Sequence, residues 1–288
     1  MEMETNQNRS QQMLETDDPL DIRKDFIFKA VFTKETPYAK QALSKLVSAL
    51  IGRTISIETL WANEVPIENA GDRNLRFDIN CRAENGERIN VEMGFDTKPY
   101  ELVRIEFHLS KLYAGQNIKG RRKNFSHLKR TYQISILSKK IFFADKEFFH
   151  SFEYFDPVRQ VSLRGKTKII ILELIKVKRF SGKNIDKMSI PELWAYYFEY
   201  LTDKTKRSII NRIAEKEEGI YMANEVLLSI SRNEAEREEA LSQEKHELDR
   251  QSALDYEWRR GRRRGKQEII NLLKSGKSPE DIIRDNGG

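Results

Sequence analysis

The sequence predicts a mixed α/β domain followed by a long helical region, and three observations carry that expectation. Residues 75–82 and 88–95 alternate apolar and polar strictly, around the turn-forming Glu84-Asn85-Gly86. Apolar residues at helical spacing precede and follow that pair. From Ser189 onward β-branched clusters vanish and helical periodicity takes over.

Composition fits the same division. Of 288 residues, 39% are hydrophobic and 33% charged, against the usual ~45–50% and ~25%. Such a skew suits a compact apolar domain joined to a charged helical part. One cysteine, Cys81, excludes a disulfide framework and a Cys-based zinc site. No apolar run approaches the ~18–20 residues that cross a bilayer, and the polar, acidic amino end reads as neither signal nor transit peptide. A cytoplasmic protein without membrane contact is therefore expected. The net charge of +6 permits a nucleic-acid partner without requiring one.

Taken in order, residues 1–18 read as a disordered tail. Phe26, Ile27, Ala30 and Val31, with Phe32, give a short amphipathic helix. Thr36-Pro37 opens a second helix, with Ala42, Leu43, Leu46, Val47 and Leu50 inward and Gly52 as its end. Residues 54–65 read as one extended segment. A hairpin follows, then a helix from Pro99 to about Ile118 with Leu102, Ile105, Leu109 and Leu112 inward and Arg104, His108 and Lys111 on another face. Strands are expected at 131–137, around 148–155 and at 168–175, closing the domain near residue 182. Ser189 caps a helix with Pro191 in its first turn. The region 183–288 is helical, suited to self-association, and ends in a small helix–turn–helix after Ser275-Gly276.

The hairpin register decides the chemistry. A two-residue Asn85-Gly86 turn sets polar groups across from apolar ones. A three-residue loop with Gly86 left-handed pairs Phe77 with Met93, Ile79 with Val91 and Cys81 with Ile89, so that all apolar residues share one face. Asp78 then lies opposite Glu92, with β-carbons roughly 4.5–5.5 Å apart. Opposed carboxylates repel unless a proton or cation lies between them, and an oxygen-ligated divalent ion is the natural candidate. The bland alternative is a solvated face with the two side chains splayed.

An Asp on one strand, a hairpin, and Glu-x-(Lys or Gln) on the next resembles the PD-(D/E)XK nucleases. The segments DIRKDFIFKAVF, RFDINCRAENGERINVEM, YELVRIEFHLSKLYAGQ and NLLKSGKSPEDII are similar to the PD-(D/E)XK nuclease family transposases, the recombination-promoting nucleases. That resemblance implies a restriction-endonuclease-like core over 19–182, with a mixed sheet flanked by helices. It implies Mg²⁺ (or Mn²⁺) held by Asp78, Glu92 and the Met93 carbonyl, and metal-assisted hydrolysis of DNA. Asp25 matches an acidic position of the family that touches the metal through water; it equally fits an Asp favoured by the helix dipole.

The chain departs from the pattern at Gly94, where Lys or Gln should stand two residues after Glu92. Either Lys98, Gln116 or Lys111 reaches in instead, or the copy is a catalytically impaired DNA-binding module. Arg121, Arg122 and Lys123, with Arg104 and Lys111, form the candidate phosphate-binding set, of low sequence specificity. The plain reading of the 121–123 run is a solvated loop. His108 is expected to pack in the core.

Overall fold

The computed structural model describes residues 18–60, 79–94, 100–116, 118 and 124–286. The expected tail up to residue 17, together with Asp78, Lys98, Arg121, Arg122 and Lys123, lies outside the described residues.

Two helices come first, α1 (Asp25–Thr33) and α2 (Pro37–Ile51). The buried stripe of α1 is Ile27, Phe28, Val31 and Phe32; of the expected stripe Ile27, Val31 and Phe32 are buried, while Phe28 takes the inward place expected of Phe26 and Ala30. Thr36 caps α2 by accepting the Ala39 N–H at 3.2 Å, and the Gly52 N–H closes its end on the Ser48 carbonyl. Three strands follow: β1 (Ile57–Leu60), β2 (Ile79–Ala83) and β3 (Arg88–Gly94). Of the extended run expected over 54–65, the described strand keeps Ile57–Leu60.

The β2–β3 turn has Gly86 at φ +83°, where a β-carbon would be strained. Ile79 pairs with Val91 and Cys81 with Ile89, the expected register. Helix α3 (Glu101–Ala114) stops at Gly115, short of residue 118. Then come β4 (Thr131–Leu137), β5 (Phe149–Phe152), a small β6–β7 pair (Phe155–Asp156 and Val161–Ser162) and β8 (Thr167–Glu173).

The six-stranded sheet runs β1-β2-β3-β4-β8-β5, with β3, β4 and β8 mutually parallel and the other pairings antiparallel. All seven residues of β4 are buried, as a central parallel strand covered on both faces should be. Side chains of parallel partners share a face, so Glu92, Ser135 and Ile171 form one row, and Gly94, Leu137 and Glu173 the next. Helix α3 covers this face through Ile105, which packs with Leu137 and Ile171. On the opposite face Ile79, Val91, Met93, Ile134, Ile136, Ile170 and Leu172 are all buried, and α1 packs on β2 and β3.

Where the sequence suggested a core closing near residue 182, contacts hold the chain together through Arg237. Helices α4 (Ile190–Tyr200), α5 (Arg207–Lys216) and α6 (Glu218–Arg232) supply the reason. Trp194 and Phe198 of α4 meet Phe32 and Phe28 of α1 at ring separations of 6.1 and 5.9 Å, and α6 packs along α2. These amphipathic stripes share one core with the first two helices.

Glu238–Gly288 is a second compact unit, made of the remainder of α7 (Glu234–Lys274) and α8 (Pro279–Asn286). Its turn is closed by the Lys277 N–H on the Leu272 carbonyl, and Ser278 caps α8 through the Asp281 N–H at 3.1 Å.

Candidate active site

On the face of the sheet under α3, the inward positions of β3 and β4 carry polar residues where a core would carry apolar ones. Asn90, Glu92, Gln133 and Ser135 are all buried. Buried polar groups persist only when hydrogen-bonded, and here they bond one another. Asn90 Nδ2 donates to Glu92 Oε1 at 3.0 Å and to Gln133 Oε1 at 2.9 Å, and Gln133 Nε2 donates to Ser135 Oγ at 3.1 Å. Both Asn90 amide hydrogens are thus used, which fixes its orientation.

Helix α3 brings two cationic residue types down onto Glu92. His108, buried like its partner, sets Nδ1 2.5 Å from Glu92 Oε1, so that nitrogen carries the hydrogen. Arg104, one turn earlier, holds Nη2 3.4 Å from Glu92 Oε2. The guanidinium is itself gripped by buried Glu101, whose Oε1 accepts from Nε at 3.0 Å and from Nη2. Burial alone would push the Glu92 carboxyl up. The His108 hydrogen bond, the charges of Arg104 and His108 and the Asn90 amide together hold it below the usual carboxylate range. Glu92 is therefore a buried, ionised carboxylate. Its Oε2 accepts no hydrogen bond.

A family model described as PD-(D/E)XK nuclease family transposase matches residues 22–257. The chain belongs to that family. No curated protein and no solved structure matches it. As a PD-(D/E)XK family member its mixed six-stranded sheet, flanked by helices, is the restriction-endonuclease-like α/β fold. A buried carboxylate oxygen that accepts no hydrogen bond fits the divalent cation on which such nucleases generally depend. Among the described residues no group of three His, Cys, Asp or Glu side chains gathers to hold a metal, and Asp78, the expected partner of Glu92, lies outside them.

The other sequence candidates fall in different places on this PD-(D/E)XK scaffold. Gly94 ends β3, its carbonyl accepting from Ser138 N at 2.9 Å and Ser138 Oγ at 3.2 Å. Met93 turns its side chain into the opposite, apolar face. Asp25 is exposed in the first turn of α1, where Oδ1 accepts the Phe26 N–H at 2.8 Å. Lys111 stands over the Phe107 ring at 5.7 Å.

Gln116 does not reach Glu92. Its amide nitrogen donates to the Lys129 carbonyl at 2.9 Å and Thr131 Oγ1 at 3.1 Å, and its oxygen accepts the Lys129 N–H at 2.8 Å. Thr131 lies four residues before Ser135, the partner of Glu92, which is about 13 Å along a strand. Gln116 thus clamps the end of α3 to the start of β4.

The sequence alone assigns His108 a packing role and gives Asn90 no role at all. A signal existed for both. Asn90 and Glu92 share the strand face whose alternation defined the hairpin, and His108 follows Arg104 by four residues on one helix face.

Proposed function

We propose that this protein is a metal-dependent DNA endonuclease that hydrolyses phosphodiester bonds in recombination or in the movement of mobile elements. The observation that carries the reading is Glu92: a buried carboxylate held below its ordinary pKa by His108, Arg104 and Asn90, with one oxygen without a hydrogen bond, at the position to which the sequence resemblance assigns an acidic ligand. Asp78, Glu92 and the Met93 carbonyl would hold Mg²⁺ or Mn²⁺. When bound, that ion polarises the scissile phosphate and lowers the pKa of an attacking water.

The chain's own groups do the remainder. His108 fixes Oε1 of Glu92 and leaves Oε2, buried beside Arg104, without a hydrogen bond. The ladder Asn90–Gln133–Ser135 ties the buried polar side chains beside Glu92 to one another. Arg104, Lys111, Arg121, Arg122 and Lys123 serve as phosphate contacts, which give position rather than sequence readout. DNA is the partner, in the cytoplasm, and the C-terminal helices suit pairing with a second copy. Asp25 stays a candidate for touching the metal through water, and Lys98 for the contact that Gly94 lacks.

A second reading, an impaired DNA-binding module of the same fold, is favoured by Gly94, which brings no side chain to the Lys/Gln position. Supercoiled-plasmid nicking in Mg²⁺ and Mn²⁺ separates the two. The parent protein is expected to nick, and Asp78→Ala and Glu92→Ala to be silent. Salt-sensitive DNA binding with no nicking in either metal would hand the protein to the second reading.

A further inference from the structure

Gly94 leaves a functional vacancy, because residues i and i+2 of a strand share a face and a Lys or Gln at 94 would stand beside Glu92. The same face is covered by α3, and two of its side chains meet Glu92 from above. They differ in what else they can reach. His108 is 3% exposed and its Nδ1 is committed to Glu92 Oε1. Arg104 is 37% exposed and lies on the side of Oε2, the oxygen that accepts no hydrogen bond.

We propose that Arg104 is the catalytic cation that replaces the missing residue at position 94, delivered from helix α3 instead of strand β3. The proposal rests on the endonuclease reading above. A guanidinium is a planar fork of five N–H groups that matches the oxygens of a phosphodiester, and it stays charged throughout. Its task is to bind a non-bridging oxygen of the scissile phosphate and stabilise the charge that builds there. It takes no proton, so water activation falls to other groups. Glu101 is the positioning residue. Buried itself, it holds Nε and Nη2 and so fixes the guanidinium against Glu92 before substrate arrives. His108 is a second positioning residue, acting through the Glu92 carboxylate.

A purely structural ion pair has the same geometry, so the test needs readouts that such a pair would not move. Full-length parent, Arg104→Ala, Arg104→Lys and Arg104→Ala with Gly94→Lys are compared in three measurements. The first is plasmid nicking with Mn²⁺. The second is Mn²⁺ affinity by titration calorimetry, beside Glu92→Ala. The third is the salt dependence of DNA binding in EDTA.

Arg104→Ala is expected to lose about 10²–10³-fold in kcat and to lower the salt slope by about one. Its Mn²⁺ affinity should equal the parent's or exceed it, because a competing cation has left Oε2. Arg104→Lys should recover part of the rate, and so should Gly94→Lys in the Arg104→Ala background. Parent-like nicking by Arg104→Ala overturns the proposal, and so does loss of Mn²⁺ binding in step with activity. A parent that never nicks overturns both this proposal and the endonuclease reading. Nicking that survives Arg104→Ala yet disappears in Glu92→Ala overturns this proposal alone.

Discussion

Glu92 owes its ionisation to neighbours on two different elements, Asn90 from its own strand and His108 and Arg104 from α3. The consequence for stability has a definite sign. Burial favours the neutral acid, but the His108 bond and the facing charges outweigh it and set the folded value below the ordinary 4.5. The associated stability is present in full above that ordinary value and is lost as pH falls through the lower folded one. Thermal melts between pH 7 and pH 3 should therefore show an acid limb that is flatter in Glu92→Gln than in the parent. Superimposable limbs would mean that the folded carboxylate is not held ionised. The Asp…Glu pattern made Glu92 legible in the sequence, but not its neighbours. The sequence holds His108 as one polar residue in an amphipathic helix, and only the crossing of α3 over β3 turns it into a partner. Gln116 failed as a candidate for the mirror-image reason: its sequence position is compatible with the site, but the end of α3 lies over the start of β4.

At the scale of elements, the hairpin was readable because alternation and turn chemistry agreed on one register. Ile79 across from Val91 and a left-handed Gly86 were both fixed by keeping apolar residues on one face. Helices α4 to α6 were readable as helices but not as part of the core, because an apolar stripe announces that a face is buried and not against what. Their packing leaves little slack. Gly219, at the start of α6, lies so close to α2 that a β-carbon would run into the Lys45 Cβ and come within 3.0 Å of Trp194 Cζ2. Gly219→Ala should accordingly destabilise the protein by about 1–3 kcal/mol, the usual range for overpacking, despite alanine's higher helix propensity. Urea unfolding would read this directly, and an unchanged or raised midpoint would show that the two helices can part without cost.

For the molecule as a whole, the two compact units meet in sequence after Arg237, and the sequence-based division at 182 predicts a different behaviour on truncation. A chain ending at residue 237 keeps Trp194, Tyr197 and Phe198 buried beside Phe28 and Phe32. It should unfold in one cooperative step, with near-native far-ultraviolet dichroism. A chain ending at residue 182 exposes the apolar faces of α1 and α2 and should aggregate or bind a hydrophobic dye. A soluble, cooperative 182-residue fragment would show that α4 to α6 are an accessory layer.

The same closure carries a consequence for synthesis. The Leu20 N–H donates to Ser231 Oγ across a sequence separation of 211 residues. At roughly 5–20 residues per second, the amino-terminal helices wait about 10–40 s on the ribosome before their last partner emerges. During that interval Phe28, Phe32, Leu43 and Leu46 have no native cover from α4 and α6. The nascent chain thus carries this apolar surface uncovered for most of its synthesis, and the two helices made first are among the last to find their native cover.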